Sequence, residues 1–118
     1  MKRFTDTAKW DKEWFVELSP LHKLAWIYIC DRADAAGVLS FSRRMANAAM
    51  GETIDWEEFL EQCEDRLELL ANGKLWIRSF IPFQYPNGVH PSSKQHSKIR
   101  ESIIANELPI ATVLPDEA

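Results

Sequence analysis

Residues 67–80 read LELLANGKLWIRSF, two apolar stretches on either side of Asn72-Gly73. Both of these residues tolerate positive φ, so the pair predicts a β-hairpin with a two-residue turn, its strands over Leu67–Ala71 and Lys74–Phe80. Alternation places Leu75 and Ile77 on one side of the second strand and Lys74, Trp76 and Arg78 on the other, so basic and aromatic groups share a face. Just upstream, Asp55-Trp56-Glu57-Glu58 is a capping-box-like helix start, with Asp55 as the cap and Glu58 three residues on. Trp56, Phe59, Leu60, Cys63 and Leu67 then recur at helical spacing as one buried stripe, while Glu57, Glu61, Glu64 and Asp65 take the outer side.

Further toward the N-terminus, Ser42 caps a brief helix carrying Met45, Ala46, Ala49 and Met50, and Gly51 ends it. Val38–Phe41 is long enough only for a small strand or an extended link. Ser19-Pro20 opens the central helix, the serine accepting from a first-turn amide and the proline setting the first helical φ. Its stripe is Leu21, Leu24, Ala25 and Tyr28, widened by Trp26, Ile27 and Ile29, and it ends near Ala33–Ala36 with Gly37 supplying a positive φ. Before it, an arm packs Trp10, Trp14, Phe15, Val16 and Leu18 on the core. Beyond the hairpin, Pro82, Pro86 and Pro91 break regular structure over Ile81–His90. A last helix begins near Ser92, with His96, Ile99 and Ile103 as its apolar stripe beside Lys94, Lys98 and Arg100. NELPIATVLPDEA reads as a linker or loose tail.

Helix, short strand, two helices and a hairpin form the winged-helix order, in which the second and third helices make a helix-turn-helix and the hairpin is the wing. The expected class is α+β, mostly helical: a winged helix with an extra C-terminal helix. It divides into an arm over 1–18, a core over 19–80, a Pro-containing loop and last helix over 81–105, and a tail over 106–118.

With 118 residues, 46% of them hydrophobic and 27% charged, the chain has the composition of one ordinary globular domain that needs no disulfide or metal to hold a core. Five tryptophans argue against disorder. Cys30 and Cys63 sit in apolar helical patterns, which fits a reducing compartment, and the N-terminal residues contain no apolar run of signal-peptide length. The longest apolar stretch, Leu24–Cys30, is far too short to cross a bilayer, so the expectation is a cytoplasmic protein with no membrane contact. His22, His90 and His96 fall in different elements with no zinc spacing, the glycines are isolated, and the carboxylates of the acidic helix lack a basic or nucleophilic partner. These features predict neither an enzyme nor a bound cofactor.

The net charge of −4 conceals strong local asymmetry. Residues 51–73 carry one basic against eight acidic residues, and residues 74–100 carry five basic and none acidic. An acidic outer face on the third helix would repel a duplex, so DNA contact falls to Lys74, Trp76 and Arg78 on the wing, Arg43 and Arg44 on the second helix, and Lys94, Lys98 and Arg100 on the last. Such a surface meets phosphates, with Trp76 available for stacking, and predicts weak sequence specificity and steep salt dependence. The acidic face Glu57, Glu61, Glu64 and Asp65 supports a second reading as a protein-protein module, either for head-to-tail homo-oligomers or for docking a helicase or helicase loader. A transcriptional regulator is a third, disfavoured by that acidic helix.

Three strings carry a resemblance: WDKEWFVELSPLHKLAWIYICDRADAAGVLSF over residues 10–41, NGKLWIRSFIPFQY over 72–85, and HPSSKQHSKI over 90–99. Together they resemble the N-terminal winged-helix domains of phage replication-initiation proteins, the replisome-organiser group related to DnaD-like primosome components. The shared features are the paired tryptophans, the Leu-Ser-Pro helix start, the Asp-x-Ala-Gly turn, the Asn-Gly wing and the Phe-Gln-Tyr motif. Pro86 stands where the family pattern has glycine, and the chain spans one domain where longer relatives have a second that contacts helicase-loading machinery. The resemblance implies a role in phage or prophage DNA replication.

Overall fold

A helix start is stabilised where a side chain can accept from a first-turn amide that has no intrahelical partner. The structure, a computed structural model, describes residues 2–86, 88–89 and 96–108. After a 3₁₀ turn over Thr7–Asp11, capped by the Asp6 carboxylate, comes α1 (Glu13–Val16). Ser19 Oγ accepts from His22 N to start α2 (Pro20–Arg32), and β1 (Val38–Leu39) follows. Ser42 Oγ accepts from Met45 N ahead of α3 (Arg43–Met50), and Asp55 Oδ1 from Glu58 N ahead of α4 (Trp56–Gln62). Then come β2 (Leu67–Leu69), β3 (Leu75–Ile77), α5 (Phe80–Gln84) and α6 (Ser97–Ala105).

The three strands form an antiparallel sheet in the order β1-β3-β2, with Val38 opposite Trp76 and Leu75 opposite both Leu39 and Leu69. Because side chains alternate across a strand, the short β3 serves two cores. Leu75 and Ile77 join Leu39 and Leu67 in a cluster with Phe15, Ala25, Ile29, Phe59 and Cys63, which belongs to the helices that precede the hairpin. Trp76 and Val38 face the other way, into a cluster with Ile81, Val89, Ile99, Ile103 and Leu108 supplied by α5, α6 and their flanks. The chain is thus a small α+β protein whose sheet is covered on both faces.

Several sequence expectations change on this scaffold. The buried face of α2 is His22, Ala25, Trp26 and Ile29, whereas Leu21 and Leu24 are 37% and 40% exposed. Two contacts turn the helix this way: Trp26 meets Trp14 edge to face at 5.0 Å, and His22 Nδ1 lies 2.6 Å from Gln62 Oε1. Gly37 has φ +87°, but it closes the turn over Asp34–Val38 and does not cap α2, whose cap is Ala33. The acidic helix α4 stops at Gln62, so Leu67 is the first residue of β2 and not a further turn of the stripe.

The hairpin turn is longer by one residue than Asn-Gly suggests. Leu70 N donates to Lys74 O, Gly73 N donates to Leu70 O, and Gly73 alone of the two turn residues has positive φ. That is a three-residue loop over 71–73, a β-turn closed by a left-handed glycine, and not a two-residue turn. Pro82 lies inside α5, where broken structure was expected; in the first turn its missing N–H costs no helical bond. Asn106 and Leu108, assigned to the loose tail, are buried. The helix described from Ser97 carries Ile99 and Ile103 inward as expected, while Ser92, Lys94, His90 and residues 109–118 lie outside the described residues.

Candidate nucleic-acid interface

The candidate cations are set by which end of the sheet each element leaves from. β1 runs antiparallel to β3 toward the hairpin turn, so α3 follows from that end of the sheet, and its Arg43 and Arg44 are both exposed. Lys74 is half-buried, its N–H donating to Asn72 Oδ1 at 3.0 Å. α6 reaches the same turn with its C-terminal end, since Asn72 Nδ2 donates to Asn106 Oδ1 at 2.8 Å. Lys98, exposed near the start of α6, therefore lies about 12 Å back along the helix at 1.5 Å per residue. Arg100 is half-buried on the same helix, and Lys94 lies outside the described residues.

Two candidates are already engaged by carboxylates. Arg78 sits 3.2 Å from Glu68 Oε1 across the hairpin and donates through Nη1 to Asp65 O at 3.4 Å. Arg43 lies 3.7 Å from Glu57 of α4, both side chains being well exposed. A cation held by a neighbouring carboxylate offers less net charge to phosphate.

Trp76 requires a correction. At 3% exposure it is a core residue beneath α6, so no base can stack on it. The expectation of an open wing face failed because α6 supplies Ile99 and Ile103 to cover it. Residues that sequence reasoning passed over hold this cover in place. Asp34 Oδ1 accepts from Ala36 N and Val38 N, its Oδ2 accepts from Ser102 Oγ at 2.7 Å, and Asn106 Nδ2 donates to Ser102 O while its Oδ1 accepts from Asn72 Nδ2. A polar chain thus runs from the turn after α2, across α6, to the hairpin loop. Its only visible trace in the sequence is the Asp34–Gly37 turn motif and the Asn72-Gly73 pair.

On the opposite side, Glu57, Glu58, Glu61, Glu64 and Asp65 are all exposed, a continuous acidic border on α4 and the turn after it. Burial pushes the Cys63 thiol up to about 11, and burial followed by the Asp31 charge pushes Cys30 up to about 12, so neither offers a thiolate at neutral pH. Among the described residues no group of three or more His, Cys, Asp or Glu is placed to hold a metal ion, and no helix is long and apolar enough to cross a membrane. Scans against protein-family models, curated proteins and solved structures find no match to this chain.

Proposed function

We propose that the chain is a winged-helix domain that contacts DNA phosphates through the turn end of its hairpin and the start of its last helix, and that it acts in phage or prophage replication initiation. The single observation behind the fold assignment is the element order α2-β1-α3-α4-β2-β3 with its strands paired β1-β3-β2, an arrangement compatible with a winged helix. The replication role rests on the resemblance in the three strings quoted above. Arg44, Lys74 and Lys98 carry the contact in this reading, because Arg78 is hydrogen-bonded to Glu68 and Arg43 has Glu57 beside it. Three phosphate contacts give a slope of log K against log salt of about −3 on duplex DNA, with weak sequence preference. Fluorescence anisotropy on labelled random duplex and single-stranded DNA across a salt series measures that slope. Arg44→Glu with Lys74→Glu should abolish binding, and absence of wild-type binding at low salt would overturn the proposal.

The exposed acidic residues of α4 and the turn after it favour a second reading, a module for self-assembly or for docking a basic helicase or loader surface. Under it, Glu61→Lys with Glu64→Lys removes assembly in sedimentation velocity, and DNA affinity does not fall.

A further inference from the structure

A cavity of about 570 Å³ lies between the N-terminal arm, α2 and the segment joining β3 to α5, within the size range of small-molecule sites. Its apolar wall is aromatic: Trp14, Trp26, Phe80 and Phe83 line it. The arm that closes it is docked by specific bonds. Gln84 Nε2 donates to Phe4 O at 2.7 Å and its Oε1 accepts from Phe4 N at 3.3 Å, while Arg3 Nη1 donates to Cys30 O at 3.3 Å.

Lys9 also lines the cavity, and it is only 7% exposed. Its ammonium has three donors. One reaches Asp6 O at 3.1 Å, and the rings of Trp10 and Phe15 lie 5.8 and 6.0 Å away. The carboxylate of Asp6 is turned elsewhere, toward Lys12 at 3.2 Å and Ala8 N at 3.1 Å, and Lys9 makes no ion pair among the described residues. Asp31 and Asp65, which also line the cavity, are exposed to solvent and do not offset the buried charge at short range. A buried cation with spare donors beside aromatic walls is costly alone and is stabilised by an anion with an apolar body.

We propose that this cavity binds a small aromatic carboxylate, its ring against Trp26 and Phe83, since Arg66 lies over the Trp14 ring at 4.1 Å and Arg3 over the Phe80 ring at 5.2 Å, and its carboxylate accepting from Lys9 Nζ. The inference is independent of DNA binding. Naphthoate and its neutral isostere naphthamide test it on the full chain, with affinities from calorimetry and the site located by amide-resolved NMR. Naphthoate should bind at least about tenfold tighter, the worth of one charge-assisted hydrogen bond, and should shift resonances of α2 and α5. Lys9→Met, which keeps the aliphatic stem, should bring the two ligands to equal affinity, and Phe83→Ala should weaken both. The proposal is overturned if the wild-type chain binds neither ligand or both alike, if the shifts map elsewhere, or if Lys9→Met keeps the preference.

Discussion

Gly37 sits at φ +87°, and a Cβ built on it would run into Phe80, whose Cγ would be 2.7 Å away. Gly73 has nearly the same φ, +85°, with open space around it. The backbone term of about 1–2 kcal/mol is common to both, and overpacking adds about 1–3 kcal/mol at the first. Gly37→Ala should therefore lose clearly more stability in denaturant unfolding than Gly73→Ala. The thiols make a second residue-level prediction. Cys63 is raised to about 11 and Cys30 to about 12 from an ordinary 9, so above pH 9 the unfolded chain gives up thiol protons that the native chain keeps. Their contribution is fully present below pH 9 and is lost as pH climbs toward 11–12. Melting temperature should decline over that window, and Cys63→Ala should flatten the decline.

Elements were legible in proportion to how local their signals are. The starts of α2, α3 and α4 were readable from Ser19, Ser42 and Asp55 because a cap bonds an amide only three residues away. The rotation of α2 was not, since apolar residues surround most of it and its inner face is chosen by tertiary contacts with Trp14, Phe59 and Gln62. Leu21→Gln and Leu24→Gln should accordingly cost under about 1 kcal/mol each, whereas Ile29→Ala, fully buried, should cost about 2–5 kcal/mol. Chemical denaturation of the three variants decides between the two faces. The candidate interface was legible only in part. Arg44 and Lys98 are exposed as expected, yet Arg78 is claimed by Glu68 through strand pairing that no local pattern reveals.

At the scale of the molecule, one three-stranded sheet separates two cores, and α6 is as integral to the fold as the helices before the hairpin. Truncation before Ser97 should expose Trp76, Val38 and Ile81, red-shift the tryptophan emission and lower the melting temperature sharply; a truncated chain as stable as the whole would contradict this account. The arm depends on the Gln84 clasp in the same way, so Gln84→Ala should speed proteolysis near Phe4 while leaving the core melt nearly unchanged. The chain's local chemistry was enough to set where helices begin, where the hairpin reverses, and that α4 carries an acidic outer side. Those outcomes depend on atoms a few residues apart, whose geometry a short segment already dictates. Tertiary packing decided which face of α2 turns inward, that Trp76 is core and not surface, and that an aromatic cavity with a buried lysine forms under the arm. Each of these depends on what covers an apolar surface from far along the chain, as Ser102 reaches Asp34 and Gln84 reaches Phe4. A strand with apolar groups on both sides does not itself reveal whether its second face meets water or a helix.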